Sequence, residues 1–364
     1  MPAVRLWTGR EARALRRALR LSVRAFAQDE LGVAVRTVSN WEKLREATVP
    51  RPDTQAILDT ALERASAAQQ MRFHLLLAET GALAPGQNTQ PHVPRAWEYE
   101  TWSDDLERTV VLLSRQNFGA ATALINRWLS RFPAERLDPK ALYLHARSLV
   151  LLGDTQRDQG TLVGPLSASS SYRQALGMFG ELDIPRRVAQ IELSLAVVAE
   201  MTGNLQPAAR RYEELATDQR LSGRDRARSR LWVGTALSKH GDHDYAARVM
   251  AEATREFEDL GEAEDWSVAQ QKLALAYRGA GNLGQALHFI DIARSSGADD
   301  TPMQRVRLST AHAHILLTDK QTCDHGLALL DQTAQLALAS GLSHQLRSIQ
   351  TIRQDFERSG GRSI

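Results

Sequence analysis

Between Val33 and Trp41 the chain places Val35, Arg36 and Asn40 within two helical turns, and side chains of these types can read base-pair edges. The Arg36 guanidinium fork matches guanine O6 and N7, the Asn40 amide matches adenine N6 and N7, and Val35 can meet a thymine methyl. Thr37, Ser39, Lys43 and Arg45 close by, and Arg24 upstream, are of the kind that hold phosphates, which positions a protein on a duplex without reading it. Arg13, Arg16, Arg17, Arg20 and Arg24 fall on neighbouring turns. They form either a solvated face or a face of which one or two members cross the phosphate backbone.

The elements around these residues follow from local signals. Thr8 with Glu11 three residues on makes a capping box for a helix to Leu19, with Ala12, Leu15 and Leu19 on one face. Ser22 starts a second helix through Phe26 and Ala27. Gly32 breaks it, and a third runs from Ala34 to Trp41 with Val38 and Trp41 turned to the core. Two short helices about a tight glycine turn is the helix-turn-helix order, whose second helix enters the major groove with its N-terminal residues toward the bases. Pro50-Arg51-Pro52 stops this unit, and Asp53 caps a long helix through Leu58 and Leu62 toward Leu77. Gly81 to Pro94, with three prolines and two glycines and no apolar period, reads as a linker. The expected domains are therefore 1–80, the linker 81–94, and 95–364.

Bulk properties narrow the class. A chain of 364 residues with 43% hydrophobic and 24% charged residues, few prolines and much Ala, Leu, Arg, Gln and Glu is globular and all-α by expectation. A single cysteine, Cys323, excludes a disulfide framework and fits a reducing, cytoplasmic setting. No run of eighteen apolar residues suits a membrane. The net charge is only +2, but residues 1–52 carry eleven Arg or Lys against five Asp or Glu, so the phosphate-seeking charge is concentrated there. No Gly-rich phosphate loop, Gly-x-Ser-x-Gly elbow or paired zinc histidines occur. His312 and His314 lie two apart and diverge on a helix, so no enzyme, metal or cofactor is expected.

Beyond Arg95 the chain repeats. Leu273-Ala274-x-x-Tyr277-x-x-x-Gly281-Asn282-x-x-x-Ala286, followed by Ile290, recurs upstream around Gly241-Asp242 and Gly203-Asn204, the glycines standing 38 and 40 residues apart. Fainter copies surround Gln116-Asn117, Gly153-Asp154 and Thr318-Asp319. These units resemble tetratricopeptide repeats, in which small residues such as Ala274 and Ala286 let paired helices approach and larger ones such as Tyr277 and Ile290 fill the space to the next pair. Gly153 to Gly203 spans 50 residues and takes in an apparent insertion, Gly160 to Ser171, which reads as an irregular surface loop or a segment covering part of the groove.

The run Phe26-Ala27 … Leu31-Gly32-Val33-Ala34-x-x-Thr37-Val38-Ser39-Asn40-Trp41-Glu42 resembles the phage-repressor-like Xre family over roughly residues 8–80. It departs in having three residues, Gln28-Asp29-Glu30, between Ala27 and Leu31-Gly32 where the family has two. An Xre domain joined to tetratricopeptide repeats is similar to peptide-pheromone receptors and to related actinobacterial regulators. The resemblance implies a homodimer on an inverted-repeat duplex, with a peptide, small molecule or protein in the repeat groove. By the repeat frame, groove positions are Gln190, Glu200, Arg228, Trp232, Lys239, Gln271, Lys272 and Arg278. Four of the eight are basic, which suits an acidic ligand. The competing reading is an interaction scaffold that recruits a protein, with DNA binding constitutive or lost.

Overall fold

The computed structural model describes residues 4, 6–78, 94–134, 137–296 and 301–360. Within these the chain is all-α, with no strand. It divides into two compact units, Met1–Leu151 and Leu152–Ile364. Except for Pro94, the expected linker lies outside the described residues.

Unit 1 begins with α1 (Gly9–Leu19), α2 (Val23–Ala25) and α3 (Val35–Leu44). Thr8 and Glu11 close the capping box at the start of α1, and the Ser22 hydroxyl accepts from the Ala25 N–H at 3.1 Å. The stretch between Ala27 and Leu31 is accommodated locally. Phe26–Glu30 winds as a π turn, Leu31 N–H reaching the Phe26 carbonyl at 3.1 Å, while Phe26 and Ala27 stay in the core and Gln28, Asp29 and Glu30 remain exposed. A one-residue insertion inside a helix is commonly accommodated in this way. Gly32 then takes φ +66, a left-handed conformation with little cost only for glycine.

The helix expected from Asp53 to Leu77 is broken. It is α4 (Pro52–Arg64) and α5 (Ala67–Ala78), parted by an extended Ala65. Ser66 N–H donates to Gln69 Oε1 at 2.7 Å, so Ser66-x-x-Gln69 is a second capping box, and it restarts the helix at a new angle. The core beneath these helices gathers Trp7, Leu15, Phe26, Val38, Trp41, Leu58 and Phe73.

α6 (Ala96–Ser114) and α7 (Phe118–Arg131) follow, and α8 (Pro139–Asp158) carries the chain across the division between units. Stacked Trp102 and Trp128 (5.2 Å between centroids) centre this part, their indole N–H groups donating to Ser148 and Asp105. α4 packs on α6 and α7 through Ala56, Leu112, Ala121 and Leu124. Beside that contact Asp59, fully enclosed, accepts from Trp7 Nε1 at 2.8 Å and from the Arg108 guanidinium, which also donates to Gln55. Burial pushes the Asp59 carboxyl upward even with Arg108 against it. Removing Arg108 would leave the Asp59 carboxylate buried without its hydrogen-bonded cation, whereas Arg108 also has Asp105 at 3.8 Å.

Unit 2 is a stack of antiparallel hairpins: α9 (Ala168–Glu181), α10 (Pro185–Met201) with α11 (Leu205–Ala216), α12 (Gly223–His240) with α13 (His243–Asp259), α14 (Ala263–Gly279) with α15 (Leu283–Ser295), α16 (Pro302–Leu316) with α17 (Cys323–Ala339), and α18 (Ser343–Gly360). Gly241 caps α12 in the left-handed region at φ +107. Small residues permit close approach: a Cβ on Gly234 would lie 2.6 Å from Met250 Cγ. Ala274, Ala286 and Ile290 join Ala311 and Ile315 of the next hairpin in one core, whereas Tyr277 is only half-buried and stacks on Phe289 of its own hairpin.

The expected turn at Gly153-Asp154 is a correction. Both residues lie inside α8, and Gly153 is small because the Tyr172 ring occupies the space its Cβ would need. The turn is at Gly160, 43 residues before Gly203, which brings the interval close to the others. The apparent insertion thus shrinks to a loop ending at Ser167, because Ser167 caps α9. The Gly160 carbonyl of that loop accepts from Arg347 of α18 at 3.1 Å, so the first and last elements of unit 2 meet.

Candidate functional site

In unit 1 the exposed face of α3 is held from behind. Val38 and Trp41 are buried, and a Cβ on Gly9 would collide with the Trp41 carbonyl, so α1 lies directly against α3. Glu42 fastens the pair by accepting from Arg16 Nε and Nη2 at 2.5 and 2.9 Å, with Arg13 at 3.8 Å. Two of the five arginines in the basic cluster are therefore spent on structure, leaving Arg17, Arg20 and Arg24 exposed. Arg24 donates to Gln28 at 2.9 Å.

Arg36, Ser39, Asn40 and Lys43 share the outer face, exposed and without an ion-pair or side-chain hydrogen-bond partner among the described residues. Thr37 is half-buried. Val35 is half-exposed and packs partly against the core, and Arg45 follows the helix at φ +50. An unpaired Arg and Asn one turn apart on a helix packed from behind can donate to ligand acceptors without first breaking internal bonds.

In unit 2, α10, α12, α14, α16 and α18 lie side by side and form the inner wall of the stack. The eight groove positions all fall on this wall, but most prove to be rungs between neighbouring helices. Gln190 donates to Asp225 at 3.1 Å, Arg228 to Asp265 at 2.8 Å, Lys239 to Glu200 at 2.7 Å, Gln271 to the Arg307 carbonyl at 2.9 Å and Arg278 to the His314 carbonyl at 2.9 Å. Glu200 also accepts from Tyr212, and burial with that carboxylate pushes the Tyr212 phenol well upward.

Trp232 and Lys272 are the exceptions. The ammonium sits 5.5 Å from the indole centroid, and burial, with Lys239 nearby, lowers the Lys272 pKa to about 8. Sequence reasoning missed Arg307, whose ordinary value is also lowered by burial. The fainter copy around Thr318-Asp319 placed its first helix over this stretch but gave no signal for Arg307 itself. A depression of ≈ 160 Å³ between α11 and α12, lined by Leu205, Ala209, Ala236 and Leu237, is smaller than ligand pockets usually are and holds none of these residues.

Among solved structures the chain is similar to the Rap conjugation gene regulator of the plasmid pLS20 in complex with the Phr* peptide. The two share 13% identity, 97% of each chain is covered and the TM-score is 0.50. A Rap protein complexed with Competence and Sporulation Factor matches at 16% identity over 96% of this chain and 98% of that one, with a TM-score of 0.47. BtubC from P. vanneervenii matches at 22% over 54% and 80%, with a TM-score of 0.43. The likeness is one of fold. It places the chain among all-helical proteins built of tetratricopeptide-like repeats. No protein-family model matches the sequence, and no curated protein does. No described helix is long and apolar enough to cross a membrane.

Proposed function

We propose that the protein is a sequence-specific DNA-binding transcriptional regulator of the Xre type, acting as a homodimer on an inverted-repeat operator, whose repeat unit senses a peptide, small-molecule or protein ligand. The observation that carries the DNA reading is the outer face of α3. Arg36, Ser39, Asn40 and Lys43 stand exposed and unpaired there, while Val38, Trp41 and the Glu42 clamp fix the helix behind them. Arg36 and Asn40 read bases in this scheme, and Ser39, Lys43 and Arg17 hold phosphates.

The sensing half rests on the inner wall of unit 2 and on the fold it shares with a regulator whose structure holds a peptide. Ligand would favour one curvature of the repeats and so alter the dimer that presents two α3 helices. The test is duplex binding by fluorescence anisotropy across a salt series, with the protein's own promoter and with random duplex. A preference for the promoter that Arg36→Ala reduces is the expected result. Equal affinity for both duplexes overturns the regulator reading and leaves the interaction scaffold.

A further inference from the structure

The wall of unit 2 holds more positive charge than its own carboxylates neutralise. Glu200, whose field reaches Lys272, is already engaged by Lys239 and Tyr212. Asp158, whose field reaches Arg307, is engaged by Arg157 at 3.1 Å, and Asp154 is shared between Arg157 and Tyr172. Arg347 gives its guanidinium to the Gly160 carbonyl. Lys272 and Arg307 remain, and neither has a carboxylate partner among the described residues.

Their setting is crowded rather than merely exposed. Both side chains keep some contact with solvent, yet both are crowded enough for burial to lower their pKa. Arg307 on α16 feels Arg157 and Asp158 of α8, and His344 on α18 feels Lys239 of α12, so helices far apart in the stack face each other across this space. Gln271 ties the two cations to one level. It precedes Lys272 on α14 and its amide donates to the Arg307 carbonyl, while its Oε1, buried, has no donor. Two unneutralised cations at one level suit a ligand that carries a carboxylate.

We propose that Lys272 and Arg307, with Trp232 against the ammonium, form an anion subsite in the groove that holds a carboxylate of an acidic peptide. The proposal rests on the reading of the groove as a ligand site. It narrows the ligand by charge: a side-chain or C-terminal carboxylate bridges Lys272 Nζ and the Arg307 guanidinium. Partly desolvated cations bind a carboxylate more strongly than exposed ones do, because solvent competes less. Lys272, titrating near 8 in the free protein, takes up a proton when the carboxylate arrives in mildly alkaline solution.

The test uses the full chain and three labelled hexapeptide pools: one rich in Asp and Glu, its C-terminally amidated form, and its Asn and Gln isostere. The acidic pool is expected to bind at least about tenfold tighter than the isostere, and Lys272→Gln or Arg307→Gln to remove that preference. Loss of binding on amidation assigns the terminal carboxylate, and retention assigns a side chain; either supports the subsite. Lys272→Arg should keep the affinity while abolishing proton uptake, read by calorimetry at pH 8.5 in buffers of different ionisation enthalpy, an outcome that a structural role does not produce. Equal binding of the acidic and isosteric pools, or variants that retain the preference, overturns the subsite and leaves the groove reading standing. Binding of no pool overturns the subsite and leaves a small molecule or a protein as the groove's ligand, and the duplex assay remains independent of either.

Discussion

The α3 face of unit 1 and the inner wall of unit 2 both present cations, but in opposite states. On α3, Arg36 and Lys43 are exposed and unpaired among the described residues. On the wall, Arg228, Lys239 and Arg278 are rungs of the structure, and Lys272 and Arg307 bear a desolvation cost before any ligand arrives. The difference teaches that similar charge can serve different ends. A solvated face suits a polyanion whose gain comes from counterion release, whereas a crowded wall suits a ligand with one or two carboxylates placed precisely enough to replace lost water.

The contrast breaks most sharply if stability and binding do not separate. Asp265→Ala takes the shared partner from Arg224 and Arg228, and should lower unfolding free energy by about 1.5–3 kcal/mol in urea denaturation. Arg36→Ala should leave stability within about 0.5 kcal/mol. In duplex binding the order reverses. Arg36→Ala should weaken operator affinity by about 1–3 kcal/mol, and Lys43→Ala should weaken all duplexes alike and reduce the salt slope by about one.

pH sharpens the same comparison. Burial, with Arg278 beside it, lowers the His314 pKa to about 3, and His312 and His344 are lowered in the same direction. The unfolded chain takes up those protons near pH 6.5 while the folded one refuses them, so stability should fall as pH drops from about 6.5 toward 3. His314→Leu should flatten that limb of a urea-midpoint profile. On the alkaline side Lys272 binds its proton less tightly folded than unfolded, so stability should rise with pH between about 8 and 10.5. Arg36→Ala should alter neither limb.

The smallest expected effect concerns the π turn. Deleting exposed Asp29 should let Phe26–Glu30 rewind as a regular α turn, with a stability change under about 1 kcal/mol by thermal melting. Deleting Ser39 from α3 would rotate Val38 against Trp41 and unfold the unit.

Much of the fold could be read from the chain. The capping boxes, Gly32, the Val38–Trp41 spacing and the repeating Leu-Ala … Gly-Asn frame are local patterns, and local backbone physics decides them within a few residues. Ser66-x-x-Gln69 was equally legible, but the apolar spacing from Ile57 to Leu77 masked it as one helix. Gly153 misled because a glycine fits a turn and a close helix contact equally well, and only the Tyr172 ring distinguishes them.

The site was legible in position and not in state. Helical period placed Arg36 and Asn40 on one face, because period is a property of the backbone, and the resemblance to tetratricopeptide repeats placed the eight groove residues on one wall. Whether a cation is free depends on which carboxylate the fold brings beside it: Glu42 to Arg16, Asp265 to Arg228, Glu200 to Lys239, and none to Lys272 or Arg307. Those pairings join residues 26 to 39 positions apart, beyond the reach of any local pattern, and burial, which tunes each charge, exists only once the helices have packed.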